Sequence, residues 1–305
     1  MKRNFSVNKY FLLLYIFLVP ALVHSESVLV NGKKRKFVTF VPKCYDAKKE
    51  VPLLIVLHGG GGKAKSFVHF SGYNKIAKRD TFIVLYPQAY GGHWNDGRNN
   101  TRYESQKENI DDVGYISMLI DLMETKFHIN KNRIYVTGFS NGGMLCYKLA
   151  CELGNKITAI APVISNMPEN IFNTCHPSNT MPVIIMNGTG DPLMPYDGGD
   201  IRFMKLELGK VVSTAQTVMF WVNNNKCKTE PSTTDLPDID TKDKCKVQRE
   251  IFTNNDNRAE VVLYTIFGGG HNLPGASQYL PKYFIGGTCR DINGAEVIWD
   301  FLKSH

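Results

Sequence analysis

The sequence has no internal repeat and no proline- or serine-rich stretch, and beyond its first 25 residues no apolar run approaches the roughly 18 residues of a membrane-spanning helix. These absences exclude a solenoid, a chain of linked domains and a helical membrane protein. Only 21% of the residues are charged and 43% are hydrophobic, which excludes a disordered chain and a coiled coil. At 305 residues the chain fits one large domain with a sizeable core.

Acidic residues are the scarcer charged group, with 28 Asp and Glu against 36 Lys and Arg, for a formal net charge of +8. The basic residues are spread along the chain. A nucleic-acid-binding protein needs them clustered on one face. We therefore expect no nucleic-acid partner.

The first 25 residues have the pattern of a secretory leader. Basic residues at the start are followed by the nine-residue apolar run 11–19, and the short residue Ser25 is placed for cleavage. Nine apolar residues are too few to cross a bilayer, so an uncleaved anchor is the less favoured alternative. We expect export, to the outside of the cell or to the periplasm of a Gram-negative source. The mature chain, residues 26–305, is then a single domain without stable membrane insertion.

Zinc-binding patterns are missing: there is no Cys-x-x-Cys and no His-x-x-x-His. The glycine-rich run that ends at Gly62 also fails as a phosphate-binding P-loop, because Leu57 and Ala64 stand where glycine and Ser or Thr are needed. We expect neither a metal nor a cofactor.

Seven cysteines follow the leader, and the odd number leaves at least one thiol unpaired. Cys227 and Cys245 flank the most polar stretch of the chain. A disulfide between them would close a loop of a size for which a stabilisation of roughly 3 kcal/mol is expected. We predict that disulfide first and Cys151–Cys175 second. Two further expectations concern the remaining cysteines: a Cys44–Cys289 pairing, and a buried free thiol at Cys146.

Short apolar runs alternate with segments of helical character, which predicts an α/β fold with a mostly parallel sheet. The predicted strands are 37–41, 52–57, 82–86, 133–137, 157–163, 182–186, 248–252 and 260–266, the last two joined by a hairpin at 254–257. The predicted helices are 113–127 (capped by Asp112), 142–152 and 295–303.

Residues 138–142 read G-x-S-x-G between a predicted strand and a predicted helix. In that context the glycines allow a sharp turn that exposes Ser140 at the end of the sheet, as a nucleophile. The acid and the base of a triad should then follow in the order acid, histidine. Asp191 and His271 each come just after a predicted strand, so we expect His271 to deprotonate Ser140 and Asp191 to orient His271.

The oxyanion of an acyl-transfer reaction needs two N–H donors. The residue after the nucleophile, Asn141, should supply one. The loop after strand 52–57 should supply the other, with Gly60 favoured over Gly59 and Gly61. Trp94 and Tyr90 are candidates for an aromatic substrate-binding wall, with ordinary loop packing as the alternative.

Six segments carry a resemblance to a known family: LHGGGG (57–62), HWNDGR (93–98), DDVGYI (111–116), VTGFSNGGM (136–144), GTGDPLMPYDGG (188–199) and GGGHNLPG (268–275). In this order they resemble the polyhydroxybutyrate depolymerase and feruloyl esterase group of secreted α/β-hydrolases. The resemblance implies an α/β-hydrolase fold and a serine esterase with Ser140, Asp191 and His271 as its triad. Members often carry Trp where this chain has Leu273.

These observations favour a carboxylic ester hydrolase that works through an acyl-enzyme. A feruloyl or acetyl ester of plant polysaccharide and a short hydroxyalkanoate ester are rival substrates, and the substrate could be small, oligomeric or linked to polysaccharide. The alternative is a non-catalytic secreted binding protein on a hydrolase scaffold. The complete triad in the correct order argues against that alternative. Peptidase and lipase activities are less favoured, and no long apolar lid is visible.

Overall fold

The computed structural model describes residues 22–254 and 259–305. The strands in these ranges are β1 (Leu22–Val30), β2 (Lys33–Val41), β3 (Val51–Leu57), β4 (Ile83–Pro87), β5 (Ile129–Phe139), β6 (Ala159–Val163), β7 (Val183–Gly188), β8 (Gly199–Phe203), β9 (Leu206–Val211), β10 (Ser232–Asp235), β11 (Lys246–Phe252) and β12 (Val261–Phe267). The helices are α1 (Ala64–Phe70), α2 (Tyr73–Asp80), α3 (Glu104–Lys107), α4 (Asp112–Lys126), α5 (Asn141–Glu152), α6 (Glu169–Thr174), α7 (Thr214–Asn224), α8 (Lys282–Ile285) and α9 (Gly294–Lys303).

One large sheet has the strand order β1-β2-β4-β3-β5-β6-β7-β12-β11-β10. Its six central strands, from β4 to β12, are parallel, and antiparallel strands extend it at both edges. Helices cover both faces. The α/β-hydrolase class predicted from the sequence is confirmed. Within the described part of the chain, no helix has the length and apolarity to cross a membrane.

The central strands are apolar throughout because both of their faces are covered. All seven residues of β3 are buried. Leu53 and Ile55 pack into the core under α4, α5 and α7, whereas Leu54 and Val56 pack into the core under α1, α2 and α9. Full burial of one such side chain stabilises the fold by about 1.5–3 kcal/mol. These two cores hold the parallel strands in register.

The site is set by the carboxyl ends of these parallel strands, which meet at one edge of the sheet. β3 ends before the glycine loop 58–62, and β5 ends before Ser140. β7 and β12 are paired neighbours, and they end shortly before Asp191 and His271 respectively. Residues far apart in the sequence are thereby brought to one place.

Some segments differ from the predictions, and others lie partly outside the described residues. α4 is capped by Asp111, whose side chain accepts the Gly114 N–H, so the prediction of Asp112 as the cap is wrong. β8 and β9 form a separate two-stranded hairpin that was not predicted. β11 and β12 pair antiparallel as expected, but most of the turn predicted at 254–257 lies outside the described residues. Of the predicted leader, only residues 22–25 are described, and they lie in β1.

The structure contains a Cys151–Cys175 disulfide with a Cα–Cα distance of 5.6 Å. The predicted Cys227–Cys245 disulfide is wrong, because both are free thiols at opposite ends of β11. Cys245 precedes the strand, and the neighbour of Cys227, Lys228, donates to Thr253 O just after it, so the strand of seven extended residues separates them by roughly 20 Å. A disulfide needs Cα atoms within about 7 Å.

The expected Cys44–Cys289 pairing is also wrong. Cys44 is exposed, and its Sγ lies 3.2 Å from the Thr81 hydroxyl, whereas Cys289 is buried beside Cys245. Cys146 is a fully buried free thiol, and burial raises its pKa.

Candidate active site

Ser140 occupies a strained turn between β5 and α5, with φ 54° and ψ −117°. A positive φ at a non-glycine residue is held only by its surroundings. The flanking glycines allow the close packing that holds it: a Cβ on Gly138 would lie 2.3 Å from Gly142 O, and a Cβ on Gly142 would lie 2.6 Å from His58 O. The turn leaves the Ser140 side chain partly exposed at the N-terminus of α5.

His271 and Asp191 form a buried pair, with their side chains 4% and 1% exposed. His271 Nδ1 lies 2.6 Å from Asp191 Oδ2. The other carboxylate oxygen accepts the backbone N–H groups of Leu193 and Met194, each at 2.8 Å. An ionised carboxylate only accepts hydrogen bonds, so Nδ1 carries the ring proton and Nε2 has a free lone pair.

Ser140 and His271 line the same cleft, which has a volume of about 780 Å³. Four aromatic side chains form one wall (Phe67, Phe70, Phe139 and Tyr279), and four aliphatic side chains form another (Met144, Met194, Ile201 and Leu208). Leu273, two residues after His271, is also in the lining. The structure thus places the predicted serine and histidine at one apolar cleft, with Asp191 bonded behind the histidine.

The glycine loop packs against the start of α5, since a Cβ on Gly59 would lie 3.6 Å from the Ser140 Cβ. Two of its N–H groups are occupied: Gly61 donates to Gly92 O and Gly62 donates to Gly59 O. Gly60 and Gly59 therefore remain as candidate oxyanion donors. A Cβ on Gly60 would lie 3.7 Å from the Cβ of Asn141, the other predicted donor. The loop backbone thus comes close to the residue that follows Ser140.

His58 supports this loop from beneath. It is fully buried, its Nδ1 lies 2.7 Å from Gly59 O, and its Nε2 accepts the Ala89 N–H at 3.1 Å. Burial lowers the pKa of His58 to about 4. The ring is therefore neutral near pH 7, and its two nitrogens hold two backbone segments together.

The prediction that Trp94 and Tyr90 line a substrate pocket is wrong. Trp94 is fully buried, and its indole N–H donates to His58 O at 2.8 Å. Tyr90 packs under the Lys33 ammonium, 4.6 Å from its ring centroid, and does not line the cleft. The neighbouring His93 and Tyr103 line the cleft instead, with stacked rings 3.9 Å apart.

Other lining residues were missed because they come from separate segments. Phe67 and Phe70 lie on α1, Ile201 and Leu208 on the β8–β9 hairpin, and Tyr279 in the loop before α8. Each is an ordinary apolar side chain in its local sequence. The HWNDGR segment was the one available signal, and its histidine and arginine, not its tryptophan, reach the cleft.

A family model described as phospholipase/carboxylesterase matches residues 44–207, just over half of the chain. The chain is 27% identical over 293 residues to the NocK protein of Nocardia uniformis subsp. tsuyamanensis, covering 92% of this chain and 83% of that protein. It is 28% identical over 243 residues to feruloyl esterase B of Piromyces equi, covering 78% of this chain and 42% of that protein. The chain thus spans less than half the length of the Piromyces protein.

Among solved structures, acetyl xylan esterase from Aspergillus awamori matches with a TM-score of 0.57 at 14% sequence identity. The match covers 91% of this chain and 98% of that one. At this identity the likeness supports the fold alone. The matched family model, together with the sheet and the site geometry, shows that the chain belongs to the phospholipase/carboxylesterase family of α/β-hydrolases and is a carboxylic ester hydrolase.

Proposed function

We propose that this protein is a secreted serine esterase that removes hydroxycinnamoyl (feruloyl-type) groups from plant polysaccharide or its fragments through an acyl-enzyme. The observation that carries the proposal is the arrangement at the cleft. Ser140 stands in a strained turn, and His271, oriented by Asp191 at 2.6 Å, lines the same cleft. A serine nucleophile and its general base must share one site, with a third group that orients the base.

In the first half of the reaction, Ser140 Oγ attacks the ester carbonyl carbon while His271 Nε2 takes the hydroxyl proton. The backbone N–H groups of Asn141 and Gly60 donate to the oxyanion that forms. The carbon–oxygen bond to the alcohol then breaks, and His271 passes its proton to the leaving oxygen. Water attacks the acyl-enzyme by the same route and releases the acid.

The shape of the cleft supports an aromatic acyl group over acetyl. A volume of about 780 Å³ far exceeds what an acetyl group fills. The side chains of the aromatic wall can also contact the planar ring of an aromatic acyl group, through both edge and face packing. Feruloyl esterase B of Piromyces equi, at 28% identity, is consistent with this substrate class. Acetyl and hydroxybutyrate esters are the rival substrates.

Export is part of the proposal, with residues 26–305 as a single catalytic domain after removal of the leader. The Cys151–Cys175 disulfide supports an oxidising compartment. N-terminal sequencing of protein collected from outside the producing cell should give Glu26 as the first residue. A start at Met1 on membrane-bound material would contradict export.

Replacing the nucleophile tests the mechanism. Ser140→Ala should lower turnover of methyl ferulate by about 10⁴ to 10⁶-fold while leaving the unfolding transition unchanged. A fluorophosphonate should label wild-type protein once, at Ser140, and should not label the variant. Retained turnover in Ser140→Ala would overturn the assignment.

A panel of methyl ferulate, acetylated xylan, hydroxybutyrate oligomers and p-nitrophenyl acyl esters of increasing length tests the substrate class. The highest kcat/KM is expected for methyl ferulate. A preference for acetylated xylan or for hydroxybutyrate oligomers would replace the hydroxycinnamoyl assignment and leave the serine mechanism intact.

A further inference from the structure

Beside the cleft lies a buried ion pair that the triad does not use, and its arginine, Arg98, is itself among the lining residues. The side chains of Asp96 and Arg98 are 0% and 3% exposed, and Arg98 Nη2 lies 2.8 Å from Asp96 Oδ2. Arg98 Nε donates to the same oxygen at 2.9 Å. Two buried charges of this kind are costly to place in a protein interior, and breaking such a pair is costlier still.

On one side, Asp96 holds the residue that follows the nucleophile. Asp96 Oδ2 accepts the side-chain amide N–H of Asn141 at 2.5 Å. Asn141 Oδ1 in turn accepts the Trp94 backbone N–H at 2.8 Å. The Asn141 side chain is therefore held at both its oxygen and its nitrogen, which limits how far the residue can shift.

On the other side, Arg98 holds the β8–β9 hairpin. Its Nη1 donates to Leu208 O at 2.7 Å, and a Cβ on Gly209 would lie 3.1 Å from Arg98 Cβ. Leu208 and Ile201, both on the hairpin, line the aliphatic wall of the cleft. The guanidinium therefore lies between Asp96 and the hairpin that carries part of the aliphatic wall.

We propose that Asp96 and Arg98 are positioning residues that set the oxyanion residue Asn141 and the hairpin wall of the cleft together, so that acyl-group selectivity depends on Arg98. The inference rests on the proposed serine-esterase function. Arg98 can bond both Asp96 and the hairpin because its rigid, planar guanidinium carries N–H donors that point in several directions. Lysine keeps the positive charge but lacks this planar set of donors.

Arg98→Lys separates the two roles. The ammonium can still neutralise Asp96, so turnover of a small acyl group, p-nitrophenyl acetate, should stay within about threefold of wild type. The hairpin loses its anchor, so kcat/KM for methyl ferulate should fall at least tenfold, mainly through KM. Asp96→Asn removes the charge and replaces one of the two acceptor oxygens by an NH₂ group among the donors of Asn141, Arg98 and Gln106, so it should lower kcat for both substrates by a similar factor.

Arg202→Lys is the matched control, since Arg202 lies on the same hairpin but pairs at the surface with Asp200. It should leave both activities unchanged. If the ion pair is merely structural, Arg98→Lys should lose kcat/KM equally on the two esters. That outcome would overturn the inference even if Asp96→Asn fails to fold. Fluorophosphonate labelling of Ser140 distinguishes the two proposals. If the wild type is not labelled, the serine mechanism is wrong. If it is labelled and Arg98→Lys keeps the wild-type ratio of activity on methyl ferulate to activity on p-nitrophenyl acetate, only the proposed coupling is wrong.

A second inference rests on two buried cysteines. The Sγ atoms of Cys245 and Cys289 lie within 4.8 Å of each other and of an Asp243 carboxylate oxygen. They join the start of β11 to the segment that supports His271, where Gly275 N donates to Cys289 O and His271 N donates to Ile285 O. A covalent link here would tie the polar segment 228–244, which contains β10, to that segment.

We infer that Cys245 and Cys289 form a second disulfide in the exported protein. Each thiol loses one hydrogen, the sulfur–sulfur bond forms, and the two electrons reduce the disulfide of a thiol–disulfide oxidoreductase in the secretory compartment. The two sulfurs start within 4.8 Å of each other and must close to the disulfide bond length of about 2.05 Å.

Non-reducing peptide mapping of secreted protein should find Cys245 linked to Cys289, and the double variant Cys245→Ser/Cys289→Ser should unfold several degrees lower than wild type. Cys227→Ser, at a half-buried free thiol, is the control and should unfold as wild type does. Alkylation of both thiols after unfolding without reductant would overturn the disulfide. Stoichiometric zinc in the purified protein, held by Asp243 and the two thiolates, would overturn it as well.

Discussion

Asp111 and Asp112 are adjacent in the sequence, yet their carboxylates lie in opposite environments. Asp111 is exposed and accepts the Gly114 N–H at 2.7 Å at the start of α4. Asp112 is fully buried, with one oxygen 2.5 Å from Arg35 and the other accepting the Asn95 N–H. Asp112 therefore ties β2 and the loop behind the cleft to α4.

The two carboxylates should differ sharply in their contribution to stability. Asp112→Asn leaves the Arg35 charge buried without its partner and should lower the free energy of unfolding by about 3–5 kcal/mol. Asp111→Ala removes one helix cap and should cost about 1 kcal/mol. Urea unfolding at pH 7 measures both, and equal losses would contradict the assigned roles.

Asp191→Asn should inactivate the enzyme without unfolding it. The amide oxygen can still accept from Leu193 and Met194, which turns the NH₂ group toward His271 Nδ1 and forces the wrong imidazole tautomer. A loss of about 10⁴-fold in kcat is expected. The exposed neighbour Asp197 supplies the control, since Asp197→Asn should keep wild-type kcat.

His58 should make the protein less stable in mild acid. Its pKa is lowered to about 4 by burial, so between pH 6.5 and 4 the unfolded chain binds a proton that the folded chain does not. Its contribution is complete above about pH 6.5 and is lost as pH falls toward 4, by about 3 kcal/mol. His58→Gln should flatten that part of the stability–pH curve, and an unchanged slope would show that other groups cause it.

Gly142→Ala should damage the serine turn. The new Cβ would lie 2.6 Å from His58 O and 2.7 Å from Leu57 O, so α5 must move away from β3. Overpacking of this kind costs about 1–3 kcal/mol, and the displaced Ser140 should lose most of its turnover. Gly287→Ala, where a Cβ meets nothing within 4 Å, should change neither the unfolding curve nor kcat.

The central strands could be predicted from sequence because burial on both faces leaves an uninterrupted apolar run, as in β3 and β7. The edge and hairpin strands could not. β8 is short and only partly buried, and β10 is short and exposed, so their residues show no apolar pattern. Their pairing depends on neighbours that the local sequence does not specify.

At the site, the positions of Ser140, Asp191 and His271 after strands could be predicted from the sequence, because a strand followed by glycines is a local pattern. The environment of each side chain was not. Nothing local distinguishes Asp111 from Asp112, or the buried ring of Trp94 from an exposed one. The cysteine pairing failed for a similar reason, since the path of β11 decides which sulfurs meet.

The β8–β9 hairpin enters and leaves the body of the protein at one point, because Gly199 is paired with Val211. Its ladder is separate from the ten-stranded sheet. A hairpin of another length or composition can therefore be grafted between the same two anchor residues without changing a strand of the main sheet. Such an exchange would alter the aliphatic wall of the cleft while Ser140, Asp191 and His271 keep their supports, so new acyl preferences are accessible by replacing one contiguous segment.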